Sequence, residues 1–170
     1  YGGPLQARAP HFVSGDLGFV EDDGWLYLLG RSKEVVNRGG ELLSPFEVED
    51  VLSDCPEVNE VMAFAAPHAT LGEVVAIALP NDCAVTLEHL RAHARDRLAP
   101  ASMPQVLVSV PALPRTDGTG KLQRAAYAAK LSMATIHGLA LRTFCLRRDG
   151  KPLLDLSSIQ ARKTNRPQSS

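Results

Sequence analysis

Aromatic side chains are scarce in this chain (5%, with a single Trp), and charge of either sign is not in excess. Lys and Arg number 18 and Asp and Glu 19, for a formal net charge of -1. A balanced surface carries no electrostatic footprint for nucleic acid or for an anionic membrane, so no nucleic-acid partner is expected. No apolar run approaches the roughly 20 residues of a membrane-spanning helix, and the opening YGGPLQARAP has no basic-then-apolar leader; no membrane span is expected. The three cysteines, Cys55, Cys83 and Cys145, are odd in number and far apart. They make neither a disulfide framework nor a CxxC metal pair, so no metal centre is expected and a reducing, cytoplasmic setting is. Cys55 reads as a small apolar residue on a helix. No GxSxG elbow is present, which disfavours an autonomous hydrolase. An initiator Met is also lacking, and the expectation is a piece of something longer.

What is present is ordinary for a globular domain: 170 residues, 45% hydrophobic and 22% charged, enough for one real core with a small appendage. The densest stretch is residues 30–49, GRSKEVVNRGGELLSPFEVE. Ser44, Pro45 and Glu47 stand at N-cap, first-turn and capping-box positions, with Leu43 and Val48 as the flanking staple. Gly39-Gly40 just before them permits backbone angles and close approaches that side chains forbid. A docking edge and an ordinary turn both fit that pattern.

Upstream, Asp16 ends a turn, and the apolar runs 17–20 and 25–29 around Glu21-Asp22-Asp23-Gly24 read as a β-hairpin. Downstream, residues 34–37 read as a short strand. A helix is expected over 45–54 with Val48, Val51, Leu52 and Cys55 as its apolar stripe, ended by Pro56. Strands are expected over 58–66 and 74–79, a Thr86-capped helix through Leu98, a strand over 106–110, and an Ala-rich helix over 123–131. Residues 136–146 read as a strand or buried segment, and residues 147–150 as a charged turn. The fold class is α+β: a small sheet with helices packed on it, preceded by a β-hairpin. Residues 1–30 form the connector and hairpin, 31–132 the main body, and 133–170 a linker or foreign tail, disordered near its end.

Candidate chemistry is thin by spacing alone. Lys121 follows Gly118-Thr119-Gly120, but the Walker pattern fails: Arg115 stands where a Gly is required and Leu122 where a Ser or Thr is. A mobile cation that swings onto an anion and a solvated turn both fit. His89 and His93 lie at i, i+4 without a third ligand, and an exposed helical pair is the simpler account. Single Asp16 would be routine turn chemistry.

Taken together, SGDLGFVEDDGWLYLLGRSKEVVNRGGELLSPFEVE, PHATLGE and LPRTDGTGKLQR resemble the C-terminal part of the adenylate-forming superfamily: acyl-CoA synthetases, peptide-synthetase adenylation domains and luciferases. The resemblance covers roughly residues 11–131. It implies that 1–30 closes a large N-terminal nucleotide-binding domain, absent here, and that 31–132 is a mobile lid on it. By position, Asp16 would bond the ribose hydroxyls of ATP and Arg31 would approach the same nucleotide. Lys33 would be the hinge. Lys121 would be the catalytic lysine on the substrate carboxylate and α-phosphate, and Gly39, Gly40 and Glu41 would line the path of a pantetheine arm.

ATP, with Mg bound mainly by the missing domain, and CoA or a carrier phosphopantetheine are the implied cofactors. The implied partners are the chain's own N-terminal adenylation domain and CoA or a carrier protein. NRGGELLSPFEVE looks more like acyl-CoA synthetases, the oxalate–CoA ligase type among them, than like peptide-synthetase domains. A carrier-loading adenylation unit and a catalytically silent binding module are the alternatives. Two departures stand out. Asp117-Gly118 makes the lysine loop one residue longer than usual, and Ala101-Ser102 replace a common aromatic and lysine.

Overall fold

The computed structural model describes residues 14–146 and 154–156. The connector 1–13, the charged turn 147–150 and the polar tail 157–170 lie outside the described residues. The expected hairpin is present: β1 (Asp16–Val20) pairs antiparallel with β2 (Leu26–Arg31). Gly24 N–H donates to the Glu21 carbonyl at 2.8 Å and Asp23 Oδ1 accepts from Trp25 N–H at 3.0 Å, closing the tip. The ribbon stands largely apart from any core. Trp25 and Leu28 are 70% and 68% exposed, and Phe19 stacks on Tyr27 with centroids 5.3 Å apart.

The body is a seven-stranded sheet. Its elements in chain order are β3 (Val36–Arg38), β4 (Glu41–Leu43), α1 (Pro45–Ser53), β5 (Met62–His68), β6 (Gly72–Pro80), α2 (Leu87–Ala94), β7 (Val106–Val110), α3 (Tyr127–Lys130), β8 (Arg142–Cys145) and β9 (Leu154–Asp155). β5 and β6 pair antiparallel from Met62–Ala78 to His68–Gly72, β7 runs parallel to β6, and β8 runs parallel to β7.

The near-continuous apolar runs of β5 and β6 follow from burial on both faces. Ala63, Val75, Ile77 and Leu79 point to the side held by Val48 and Leu52 of α1 and Leu87 and Leu90 of α2. Met62, Phe64, Val74, Ala76 and Ala78 point to the other, where Tyr127, Ala128 and Leu131 cover them. This is the period-2 alternation of a strand serving two cores at once. Phe64 and Tyr127 meet edge to face, centroids 5.1 Å apart.

Several expectations need correction. Ser44 makes no capping bond, so the expected box is not formed. Thr86 does cap, accepting from His89 N–H. The two differ in backbone: ψ is 121° at Ser44 and 157° at Thr86, and only the latter brings the hydroxyl to the first-turn N–H groups. The first strand after the hairpin is β3, shifted from 34–37, and Gly39-Gly40 joins it to a second short strand, β4. Helix α2 stops at Ala94, although Leu98 beyond it is still buried. The Ala-rich helix shrinks to α3, because Ala126 takes the left-handed conformation (φ 55°, ψ 24°) and breaks the turn before it. Within 133–146 the strand-or-buried alternative holds: Ile136 is buried and Arg142–Cys145 extend the sheet.

Candidate functional site

At the open end of the hairpin, Asp16 and Arg31 are cross-strand partners. Arg31 Nε lies 2.9 Å from Asp16 Oδ1, and Arg31 Nη1 donates to the Ser14 carbonyl at 3.1 Å. Asp16 N–H donates to Ser14 Oγ at 3.2 Å. Both charged side chains keep solvent access, so each can still meet a polar ligand. Lys33 sits in the turn that follows, where Glu34 and Val35 N–H both donate to the Arg31 carbonyl. Ser14, Arg31, Lys33 and Glu34 line one small recess. A second, of about 520 Å³, runs from Lys33 past Asn37 to Gly72, Glu73 and Arg124. Asp16, Arg31 and Lys33 are thus brought together.

Gly39, Gly40 and Glu41 form a separate unit, the tip of the β3–β4 hairpin. The glycines have φ of 62° and 95°, the region that L side chains rarely adopt. Gly39 N–H donates to the Leu71 carbonyl at 2.8 Å, and Gly40 N–H to Asn37 Oδ1 at 3.0 Å. Asn37 N–H in turn donates to Glu73 Oε2 at 2.7 Å. A Cβ built on either glycine would meet no atom within 4 Å. Backbone angle rather than crowding therefore demands glycine, and the face above it is open.

Lys121 lies on a third element, the loop from Pro114 to Gln123. It is closed like a clasp: Thr116 N–H donates to the Lys121 carbonyl (2.8 Å), Lys121 N–H to Thr116 Oγ1 (3.1 Å), and Gln123 N–H to the Pro114 carbonyl (2.9 Å). Arg115 braces it from outside, donating to the Gly120 carbonyl at 2.9 Å and pairing with Glu60 at 3.1 Å. Gly118 (φ 80°) turns the chain within this loop. Lys121 itself is exposed, and its ammonium has no partner among the described residues.

One pair that sequence reasoning did not assign ties these units together. Arg124, three residues beyond Lys121, makes a two-pronged pair with Glu49 of α1: Nε to Oε1 at 2.9 Å and Nη2 to Oε2 at 2.6 Å. Glu49 Oε1 also accepts from Ala63 N–H at 2.8 Å, and Glu34 lies 3.9 Å from the guanidinium. The guanidinium carbon stands 4.5 Å from the Phe46 ring centroid, and the far edge of that ring packs on Gly30, where a Cβ would come within 2.9 Å. Arg124 and Glu49 side chains are only 10% and 12% exposed. Such a pair is geometrically specific, and removing one member strands the other charge. A signal for it existed. The buried face of α1 is Pro45, Val48, Glu49 and Leu52, an i, i+3, i+4, i+7 stripe in which one position is a carboxylate.

Comparison with known proteins matches residues 47–121 to the AMP-binding enzyme C-terminal domain. The oxalate–CoA ligase of Arabidopsis thaliana is 40% identical over 115 residues, 66% of this chain and 22% of that protein. The o-succinylbenzoate CoA synthetase of Bacillus subtilis, solved with its acyl-adenylate intermediate, superposes with a TM-score of 0.58 at 33% identity, over 65% of this chain and 23% of that one. ATP-bound MatB of Rhodopseudomonas palustris does so with a TM-score of 0.60 at 30% identity, over 72% and 24%. The chain therefore spans about a quarter of the length of these relatives.

Proposed function

Because this chain carries the C-terminal domain of the adenylate-forming superfamily, resembling acyl-CoA synthetases, we propose that it supplies the lid half of an AMP-forming carboxylic acid–CoA ligase. The observation that carries this reading is the match over residues 47–121 among relatives named as CoA ligases. The reaction has two steps. A carboxylate oxygen attacks the α-phosphorus of ATP, pyrophosphate leaves, and an acyl-adenylate forms. A thiol then attacks the acyl carbon, its proton passes to solvent, and AMP leaves.

Lys121 is the catalytic group of the first step. An anion attacking an anionic phosphate is opposed by charge, and an ammonium without a partner among the described residues, on a braced loop, is suited to offset that repulsion. Asp16 would accept from the ribose hydroxyls, with Arg31 holding its carboxylate in place and approaching the same nucleotide. Asp16 is already paired with Arg31 at 2.9 Å, so magnesium accompanying the nucleotide is assigned to the N-terminal domain. Lys33, in the turn between hairpin and body, is the hinge. Rotation about it would carry Lys121 away and turn Gly39, Gly40 and Glu41 to the thiol arm. The open face above the two glycines suits a slender pantetheine chain, and the glycine pair favours free CoA over a carrier protein as acceptor.

The N-terminal adenylation domain is the required partner. The exposed apolar residues of the hairpin, Val20, Trp25, Leu26 and Leu28, support a surface normally covered by it. Alone, the 170-residue chain is expected to give no carboxylate-dependent pyrophosphate exchange.

The test is Lys121→Ala in the full-length enzyme. Pyrophosphate exchange should fall by about 10²–10³-fold, while thioester formation from supplied acyl-adenylate is largely spared. Equal loss of both half-reactions would overturn the assignment. Thioester yield with free CoA against a carrier protein decides the acceptor.

A further inference from the structure

On the side of the body that carries α1 and α2, three side chains of metal-binding type converge without a role in the reaction above. Cys55 follows the C-cap of α1, and the turn closed by Val58 N–H on the Cys55 carbonyl (2.9 Å) folds Glu57 back over it. The Cys55 thiol lies 3.1 Å from Glu57 Oε2. From α2, whose first turn is fixed by the Thr86 cap, His89 brings Nε2 to 3.6 Å from the same oxygen. All three donor atoms lie within 4.8 Å of one another. His93, the other member of the helical pair, is engaged elsewhere: its Nε2 lies 3.2 Å from the Val51 carbonyl and 3.1 Å from Arg97.

We propose that Cys55, Glu57 and His89 form a binding site for a zinc-type divalent cation, joining the end of α1 to the start of α2. Thiolate, imidazole and carboxylate are the three donor types zinc takes, and a tetrahedral ion with ordinary bond lengths spaces its ligand atoms about 3.4–3.6 Å apart. The Cys55–Glu57 and His89–Glu57 distances of 3.1 and 3.6 Å bracket that spacing, and the Cys55–His89 edge lies within 4.8 Å, so side-chain adjustment is needed chiefly along that third edge. Access is built in. Cys55 is buried at the base, while Glu57 and His89 are exposed beside a recess that Ala84, Val85 and Thr86 also line. Cys83 stands at the rim, its thiol donating to the Glu57 carbonyl at 3.3 Å.

On binding, a metal–sulfur bond forms as the Cys55 S–H bond breaks, and the proton passes to buffer. Glu57 contributes an oxygen lone pair, and His89 the Nε2 lone pair of the neutral ring, its proton on Nδ1. The site lies on elements that carry neither Lys121 nor the Asp16–Arg31 pair, so its expected effect is on stability of the α1–α2 packing.

The experiment uses the full 170-residue chain, stripped with a chelator. Zinc is titrated in competition with a chromophoric chelator, and cobalt(II) is added separately to read thiolate coordination by its charge-transfer absorption. One equivalent of zinc should bind, the cobalt complex should show the thiolate band, and zinc should raise the melting temperature. His89→Ala, at an exposed position that the fold does not need, should weaken zinc binding by more than about 100-fold, beyond the loss of an outer-shell partner, and abolish the rise in melting temperature. Cys55→Ser should remove the cobalt band. Because Cys55 is buried, that variant is read beside His89→Ala, whose folding is checked by circular dichroism. Failure of the wild-type chain to bind one equivalent, or binding unchanged in His89→Ala, overturns the proposal.

Discussion

Lys121 and Arg124 are two cations three residues apart, and the fold treats them in opposite ways. Arg124 is drawn inward, clamped by Glu49, flanked by Glu34 and laid over Phe46. Lys121 is left in solvent on a loop whose backbone is tied at both ends but whose ammonium meets nothing among the described residues. A guanidinium presents a planar fork that matches a carboxylate and tolerates partial desolvation; an ammonium is a compact, strongly hydrated charge on a long stem. Each is placed where its chemistry suits it. The pair teaches that one short segment can hold an anchored and a free cation together, because the anchor lies three residues beyond the group left free among the described residues.

The contrast can be broken at either end, and the largest effect is expected at the anchor. Arg124→Gln strands a buried carboxylate and should cost about 3–5 kcal/mol in urea unfolding; a loss below 1 kcal/mol would show that solvent reaches Glu49. At the other end, Lys121→Ala should leave stability within about 0.5 kcal/mol, despite the two to three decades it is expected to remove from adenylation. If it also destabilises, the lysine is structural and the contrast collapses. Gly40→Ala probes the third unit. With open space around the position, only backbone strain at φ 95° remains, about 1–2 kcal/mol, with no change at the Arg124 anchor.

The smallest effect lies beneath α3. Burial pushes the Tyr127 hydroxyl above its ordinary value. The neutral ring's contribution is therefore complete below about pH 10 and is lost as pH rises through the higher folded value. Tyr127→Phe should remove that alkaline loss of stability, seen as a flatter unfolding profile above pH 10.

Local chemistry was the legible part. Asp23-Gly24 marked the hairpin tip, Thr86 the start of α2, and alternation the two-faced strands, because each is decided by neighbours in the chain. Ordered motifs drew attention to Asp16 and Arg31, which the fold pairs across the hairpin. What escaped was decided across distance. Glu49 and Arg124 are 75 residues apart, and no periodicity links them. Cys55 and His89 meet only because α1 and α2 pack on the same face of the sheet. Ser44 failed as a cap despite the right residue types, since capping depends on a backbone angle that the spacing of Ser, Pro and Glu leaves open. For Lys121 a mobile cation and a solvated turn both fitted the sequence; Thr116 and Arg115 supply backbone ties that a glycine count does not register.

The parallel strand β8 has a consequence for anyone shortening this protein. The family match stops at residue 121, yet Arg142–Cys145 cover the outer side of β7. Cut after residue 132, β7 becomes a sheet margin, VLVSV, without charge or proline and with its backbone donors and acceptors open. That is a template for strand addition by another copy. A chain ended after residue 132 should self-associate, whereas one carried past Leu146 keeps the β7 margin closed by a strand of its own.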